Sequence, residues 1–314
     1  MTQMQERTDT SGRPARNASD RKLLDRQHTA MRLLVASAHN SFDPTEDLDW
    51  DAPLDPSKPC LPWHRVSLYG TEIWDGLSLE QKLELSKHES ASIMQVGLWF
   101  EMILMQMLLR YAYDQDIRDP HPQYALTEIG DETRHSIMFG RCAAKLGVPR
   151  YGAPNLVHQL GRLYKATAGG PAMFAPVLVA EEVTDRLQRE LMVDEEVQPL
   201  VRGISKIHVV EESRHVRFAR EEMLRMMPHL SRAKLARQRT LVAIVSYVVI
   251  DSLIDRRVYE AIGIPAEVGR KAALANPHHQ QSRRWMAEKI MPFLYETGIV
   301  GGPSEALYRK AFLI

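Results

Sequence analysis

One short string occurs twice in this chain, and the repeat constrains the fold more than any other feature of the sequence. The copies read DETRH at residues 131–135 and EESRH at residues 211–215. In each copy a glutamate precedes a histidine by three positions, and both side chains therefore project from one face of a helix. Four-helix bundles hold a pair of iron or manganese ions with two such helices and two further helices that each carry an inward glutamate. The repeat therefore predicts a helical bundle around a dinuclear metal centre.

The composition is that of a globular chain and disfavours several other classes of protein. Hydrophobic residues make up 44% and charged residues 25% of the sequence, as in ordinary soluble domains. Basic and acidic residues number 40 each, so the formal net charge is zero. The charge balance therefore does not favour nucleic acid or an anionic membrane as a partner. The two cysteines cannot build a disulfide framework, and neither a signal-peptide core nor an uninterrupted membrane-spanning apolar run is visible. We therefore expect a cytoplasmic protein.

Apolar spacing and helix-breaking residues predict an all-α chain, because no alternating strand pattern stands out. Residues 1–22 are expected to form a disordered tail, and residues 23–314 one domain with its core bundle over about 78–262. Ser78 with Gln81 forms a capping-box signature at the start of the bundle. Long helices are predicted over about 78–113, 122–147, 172–192, 197–227 and 232–262, with additional helices over about 22–38 and 283–297.

Two further carboxylates are candidates for the remaining bundle helices. Glu101 is the lone acid within VGLWFEMILM, and Glu181 and Glu182 follow the apolar run PVLVA. A carboxylate among such neighbours is costly unless it is paired or bound to a metal. The sequence separation between Glu101 and Glu132 equals that between Glu181 and Glu212. This equal spacing favours Glu181 over Glu182, although both stay open on sequence alone.

A third histidine shares a helix face with the second string. His208, Glu212 and His215 stand at i, i+4 and i+7, within roughly 60° of one another around a helix. On spacing alone, His208 is as credible a structural histidine as a ligand. Asp131 and Glu211 are natural acceptors for the ring N–H of a ligand histidine, and the arginine three positions after each could balance its charge. Five histidines lack a carboxylate at ligand spacing and are expected to be exposed: His88, His158, His229, His278 and His279.

A single Glu-x-x-His string is weak support for a metal site, because charged residues at that spacing commonly lie on a solvated helix face. Two strings with two apolar-embedded acids at equal offsets make a stronger pattern. Carboxylate oxygens and neutral imidazoles suit iron, so we predict a pair of Fe2+/Fe3+ ions; the same donors also accept manganese.

At these residues the chain resembles the p-aminobenzoate N-oxygenase family of non-haem diiron oxygenases, which are ferritin-like. The similarity covers about residues 75–260 and includes Glu101, the Asp-Glu-x-x-His of residues 131–135, Ala180-Glu181 and the His-x-x-x-Glu-x-x-His of residues 208–215. It implies dioxygen activation and oxidation of an arylamine or similar nitrogen in a small-molecule substrate. The implied iron ligands are Glu101, Glu132, His135, Glu181, His208, Glu212 and His215.

Other functions stay open on the sequence. The two strings also resemble those of acyl-carrier-protein desaturases, which lack a histidine four positions before the last ligand glutamate. A ferroxidase or iron-handling bundle would use the same ligands without an organic substrate. For the oxidative functions we expect an external electron donor, a ferredoxin or a flavin reductase. A homodimer is compatible with a long helical chain, although nothing in the sequence specifies an interface.

Overall fold

The structure is a computed structural model that describes residues 25–314, and within that range it contains no β-strand. The all-α prediction is therefore confirmed, whereas the predicted tail over residues 1–22 lies outside the described residues. Twelve α-helices occur in this range: α1 (Arg26–His39), α2 (Glu72–Asp75), α3 (Leu79–Tyr113), α4 (Pro120–Lys145), α5 (Asn155–Thr167), α6 (Pro171–Leu191), α7 (Pro199–Met226), α8 (Arg232–Ser252), α9 (Ala266–Ala275), α10 (Pro277–Met286), α11 (Ile290–Glu296) and α12 (Glu305–Lys310).

Local signals place the starts of the core helices. The Ser78 hydroxyl accepts from the Gln81 backbone N–H, and the Gln81 side chain accepts from the Ser78 N–H, so the predicted capping box is present at α3. Helices α4, α6 and α7 each begin with a proline, whose fixed φ suits the first helical turn. Consequently α4 begins two positions earlier than predicted, at Pro120, and α7 two positions later, at Pro199.

The core of the bundle consists of two helical hairpins. Helix α3 packs along α4, α6 packs along α7, and the hairpins meet where α4 contacts α7 and α3 contacts α6. Met138 of α4, Leu178 of α6 and Ile204 of α7 are among the largest fully buried side chains. Each such side chain contributes about 1.5–3 kcal/mol through removal from water. Each hairpin thus supplies one helix with a lone glutamate and one helix with a Glu-x-x-His string.

The additional helices surround this core as predicted for both ends of the chain. Helix α1 packs on α4 and α7, α5 packs on α3, and α8 packs on α6. The segment after α1 also reaches the core, because the Phe42 backbone N–H donates to Glu211 Oε1 at 3.0 Å. Cys60 and Cys142 are buried and free, in agreement with the expected absence of a disulfide framework.

Two helix predictions near the C-terminus are wrong. The predicted fifth helix ends at Ser252, and a 3-10 segment, Arg256–Ile262, follows it. The break is stabilised from α3, where the Ser92 hydroxyl donates to the Leu253 carbonyl and accepts from the Asp255 N–H, both at 2.9 Å. The segment predicted as one helix over 283–297 consists of parts of α10 and α11.

Helix α3 has the length and apolar character of a membrane-spanning segment. Its most apolar stretch of 18 residues has a mean hydropathy of 1.5, and 44% of that stretch is buried inside the bundle. That stretch includes the charged residue Glu101, and for this reason the sequence shows no uninterrupted apolar run there. Central helices of soluble bundles meet the same criterion, and α3 is a core helix here.

Candidate metal centre

The seven predicted ligands lie together in the middle of the bundle, and every one of them is buried. Helix α3 supplies one donor side chain, α4 two, α6 one and α7 three. Their donor atoms fall into groups whose members lie within 4.8 Å of one another: Glu101 with His135 and His208, Glu132 with His135 and Glu212, Glu181 with His208 and Glu212, and Glu132 with His215 and Glu128. The geometry therefore brings all seven residues together, and metal ligation by them stays a prediction.

The two histidines of the repeated strings present the same ring nitrogen to the centre. His135 Nδ1 lies 3.3 Å from Glu132 Oε2, and His215 Nδ1 lies 3.0 Å from Glu212 Oε1. Their other nitrogens contact acids of the opposite hairpin. His135 Nε2 lies 2.8 Å from Glu211 Oε2, and His215 Nε2 lies 3.1 Å from Asp131 Oδ2. Asp131 and Glu211 are thus the acceptors that the sequence predicted, and each acts across the hairpin interface.

The arginines of the strings compensate these two acids. Arg214 Nη2 lies 3.2 Å from Asp131 Oδ2 and 3.7 Å from Glu211 Oε1, and Arg134 also hydrogen-bonds Asp131. Burial alone would raise the pKa of Asp131, but the hydrogen bond from His215 and the two arginines hold it below its usual value. Asp131 is therefore suited to stay ionised and to accept the N–H group of His215.

His208 is oriented as a third imidazole donor. Its Nε2 atom lies 3.5 Å from Glu101 Oε1, 3.7 Å from Glu212 Oε1 and 4.0 Å from Glu181 Oε2. Its Nδ1 atom lies 2.8 Å from Gln188 Oε1, an acceptor that fixes the tautomer with the Nε2 lone pair inward. The sequence analysis did not identify Gln188, since one glutamine two helical turns after Glu181 carries no signal of its own.

The structure also separates the two candidate acids of α6. Glu181 belongs to the group with His208 and Glu212, whereas Glu182 Oε1 accepts from Arg220 Nε at 2.7 Å. The preference for Glu181 therefore agrees with the geometry. On α3, Glu101 accepts a hydrogen bond of 2.8 Å from the Ser136 hydroxyl, which orients that carboxylate.

One buried acid at the centre was not predicted. Glu128 is 2% exposed and lies in one group with Glu132 and His215. A signal for it was present in the sequence, because Glu128 and His208 occupy equivalent positions relative to the two repeated strings, just as Glu132 and Glu212 do.

Electrostatically, the centre is rich in acids that lack solvent. Burial, reinforced by neighbouring glutamates, raises the pKa of Glu128 and Glu181 well above the usual value. Burial opposes protonation of His135 and His215, but the carboxylates that face them raise the pKa of both histidines well above the usual value. Glu212 Oε2 and Glu128 Oε2 are buried without a hydrogen-bond partner. Oxygen and imidazole donors with unmet demand for positive charge fit iron or manganese ions.

Next to these acids lies an apolar cavity system. A cavity of about 90 Å³ between α3, α5 and α8 is lined by residues such as Trp99, Phe100, Gly161 and Tyr164. A second cavity of about 20 Å³ shares Phe100 and Tyr164 with the first and is lined by Glu181. The two cavities share lining residues, and the smaller one reaches Glu181 of the candidate metal centre.

The prediction for the remaining histidines is wrong in two cases. His88 is 8% exposed and hydrogen-bonds the Tyr151 hydroxyl. His279 is 6% exposed and accepts from Arg283 Nε at 3.1 Å. His88 Nε2 also lies 3.4 Å from Glu84 Oε2, so the prediction was wrong to treat His88 as lacking an acid at ligand spacing. The partner of His279 is not an acid, and spacing between histidines and carboxylates could not identify it. His158 is half-buried, and His229 and His278 are exposed.

Comparison with known proteins identifies the family. The model of the family described as "P-aminobenzoate N-oxygenase AurF" matches residues 24–298. The uncharacterized protein MT0908 of Mycobacterium tuberculosis (strain CDC 1551 / Oshkosh) is 27% identical in an alignment of length 293 that covers 88% of this chain and 84% of that protein. The uncharacterized protein Mb0909 of Mycobacterium bovis is 26% identical in an alignment of the same length that covers the same fractions of the two chains. The family match spans most of the chain, and the chain therefore belongs to the P-aminobenzoate N-oxygenase AurF family.

Proposed function

We propose that this protein is a diiron oxygenase that uses dioxygen to oxidise the nitrogen of an uncharged arylamine. Family membership makes it an oxygenase-type enzyme of a diiron family. The observation that carries the finer proposal is the apolar cavity system ending at Glu181, beside a buried cluster of four glutamates and three histidines. In this proposal Glu101, Glu132, His135, Glu181, His208, Glu212 and His215 hold two iron ions.

The iron ions would supply dioxygen binding and the electrons for its first reduction. The protein would position the ions, orient their ligands and exclude water. Glu132 and Glu212 come from opposite hairpins, so they would hold the ions at the hairpin interface. Gln188 and Glu211 keep His208 and His135 in the orientation that a metal requires. The apolar walls exclude water, which keeps the oxidant from being consumed by side reactions. An external electron donor would return the ions to the ferrous state.

The cavity lining restricts the substrate class. Within residues 25–314, the two cavities are lined by aromatic and aliphatic side chains and by Glu181, and by no lysine, arginine or histidine. A carboxylate buried there would lack a partner, at a cost of several kcal/mol. The walls include Trp99, Phe100 and Tyr164, which suit a flat aromatic ring. We therefore expect an arylamine without an acidic group to be preferred to p-aminobenzoate.

The first experiment tests the metal centre. Purified protein is loaded anaerobically with two equivalents of ferrous iron and mixed with oxygen while optical spectra are recorded. Two bound irons and a rapid spectral change are expected for the wild type, with weaker iron binding in His208→Ala. Absence of bound iron and of any spectral change would refute the oxygenase proposal. Wild-type loading and spectra in His208→Ala would remove His208 from the ligand set.

A second experiment tests the substrate class with a panel of uncharged arylamines, p-aminobenzoate and acyl-carrier-protein substrates. Conversion of uncharged arylamines to N-oxygenated products is expected. Turnover of acyl chains alone would instead support the desaturase-like alternative. Iron oxidation without any organic product would support a ferroxidase, although such a function does not require the apolar cavity.

A further inference from the structure

We propose that Glu128 is an additional metal ligand, bound to the ion that Glu132 and His215 hold. This inference rests on the proposed diiron function and adds a fifth glutamate to it. It would make the first coordination shell of the centre an eight-residue set with four ligand positions in each hairpin.

Internal symmetry of the chain supports this assignment. The two repeated strings are separated by a fixed number of residues, so Glu132 corresponds to Glu212 and His135 to His215. Glu101 and Glu181 are separated by the same number of residues. The same separation relates Glu128 to His208, because each stands four positions before the glutamate of its Glu-x-x-His string. Equivalent positions on α4 and α7 therefore present a donor side chain to the centre. One hairpin uses a carboxylate at this position, whereas the other uses an imidazole.

The surroundings of Glu128 indicate an unsatisfied donor. The side chain is 2% exposed, and its Oε2 atom is buried without a hydrogen-bond partner. Glu128 offers one oxygen within 4.8 Å of donor atoms of both Glu132 and His215. The two arginines of the strings are occupied by Asp131 and Glu211. A buried carboxylate oxygen without a hydrogen-bond partner is costly, and a metal ion at that oxygen would remove the cost.

The charge of the centre also gives Glu128 a distinct role. Four ligand glutamates neutralise two ferrous ions, and a fifth carboxylate would leave one negative charge. After oxidation to two ferric ions, the fifth carboxylate reduces the excess positive charge from two to one. Glu128 should therefore favour binding of the oxidised pair, whereas a neutral amide at this position should not.

The test is a metal titration of the full chain with Co2+ and with anaerobic Fe2+, comparing wild type and Glu128→Gln. This substitution preserves the shape of the side chain but removes its charge and one metal-binding oxygen. The wild type should bind two ions. In the variant, one ion should bind at least about 10-fold more weakly, and the Co2+ ligand-field absorption should change in shape and intensity.

Two further variants separate ligation from a structural role. Glu128→His installs the residue found at the equivalent position of the other hairpin, and it should restore tight binding of the second ion. Glu182→Gln removes a buried acid of the same bundle that pairs with Arg220, and it should bind two ions like the wild type. Metal-free Glu128→Gln should unfold at no lower temperature than the metal-free wild type, because the buried Oε2 atom of Glu128 has no hydrogen-bond partner to lose.

The outcomes distinguish the two proposals. If the wild type binds two ions and Glu128→Gln binds both with unchanged affinity and spectra, Glu128 is not a ligand and the diiron proposal stands. If the wild type binds no pair of ions, both proposals fail. Failure of Glu128→His to recover binding, together with a lower unfolding temperature of metal-free Glu128→Gln, would assign Glu128 a structural role instead.

Discussion

Single residues around the centre act by fixing other side chains as well as by facing the metals. Ser136 holds Glu101, Glu211 holds His135, and Gln188 holds His208. Each contact restricts a ring or carboxylate to one orientation before any ion binds. Such pre-orientation raises metal affinity, because less conformational freedom is lost on binding.

Gln188→Ala should weaken metal binding without unfolding the protein. The variant leaves His208 Nδ1 without its acceptor at 2.8 Å, so the ring can rotate and exchange tautomers. We expect affinity for one ion to fall by about 10-fold or more, as measured by Co2+ titration. Gln123→Ala, at an exposed position of α4, is the matched control. Equal affinities of both variants would contradict the role given to Gln188.

Glu89 should make the stability of the protein depend on pH. Burial raises its pKa from 4.5 to about 7, and hydrogen bonds from Ser67 offset only part of this effect. Between these two pH values the folded state binds more protons than the unfolded state, so stability falls as pH rises. The loss is complete above about pH 7 and amounts to about 3 kcal/mol.

Urea unfolding of metal-free protein at about pH 5 and about pH 8 measures this contribution. Glu89→Gln cannot ionise, so it should lack the corresponding decrease between the two pH values. Glu80→Gln alters an exposed acid of the same helix and should retain the wild-type pH dependence. An unchanged pH dependence in Glu89→Gln would show that Glu89 does not titrate in this range.

At the level of elements, the sequence predicts most where the signals are local. The capping box at Ser78 and the prolines near the helix starts place the core helices to within about two positions. The end of α8 was missed, because the Ser92 hydroxyl that satisfies the break comes from α3. For the same reason, spacing alone did not identify Gln188 as the partner of His208. Glu128 was different, because the offset between the two repeated strings already pointed to it.

The contact between α5 and α3 depends on one glycine. A Cβ atom at Gly161 would lie 2.9 Å from Trp99 Cζ2 and 3.2 Å from Ile103 Cδ1. Gly161→Ala should therefore force the cavity wall to shift, at a cost of about 1–3 kcal/mol. The gain in helix propensity, about 1 kcal/mol at most, offsets only part of this cost.

Urea unfolding and arylamine binding by the iron-loaded protein would test this effect. We expect Gly161→Ala to be less stable than the wild type and to bind the arylamine more weakly. Gly169→Ala is the control, because a Cβ atom there meets nothing within 4 Å. A Gly161→Ala protein as stable as the wild type would show that Trp99 moves aside without cost.

On the scale of the whole molecule, the candidate centre lies where the two hairpins meet. Each hairpin provides a lone glutamate and a Glu-x-x-His string, and Asp131 and Glu211 each bond a histidine of the opposite hairpin. Metal ions at this interface would therefore link the two halves of the bundle. Without them, the buried acids repel one another across the same interface.

Removal of the metals should consequently lower the stability of the entire bundle. Binding of ions only to the folded state stabilises it by about 3–4 kcal/mol per ion at 100 to 1,000 times the dissociation constant. For a chain of this size, two ions should raise the midpoint of thermal unfolding by about 9–13 °C. Calorimetry of chelated and reconstituted protein measures the shift. Glu212→Gln, which alters a ligand from the second string, should show a much smaller shift, and coincident melting of both wild-type forms would contradict the prediction.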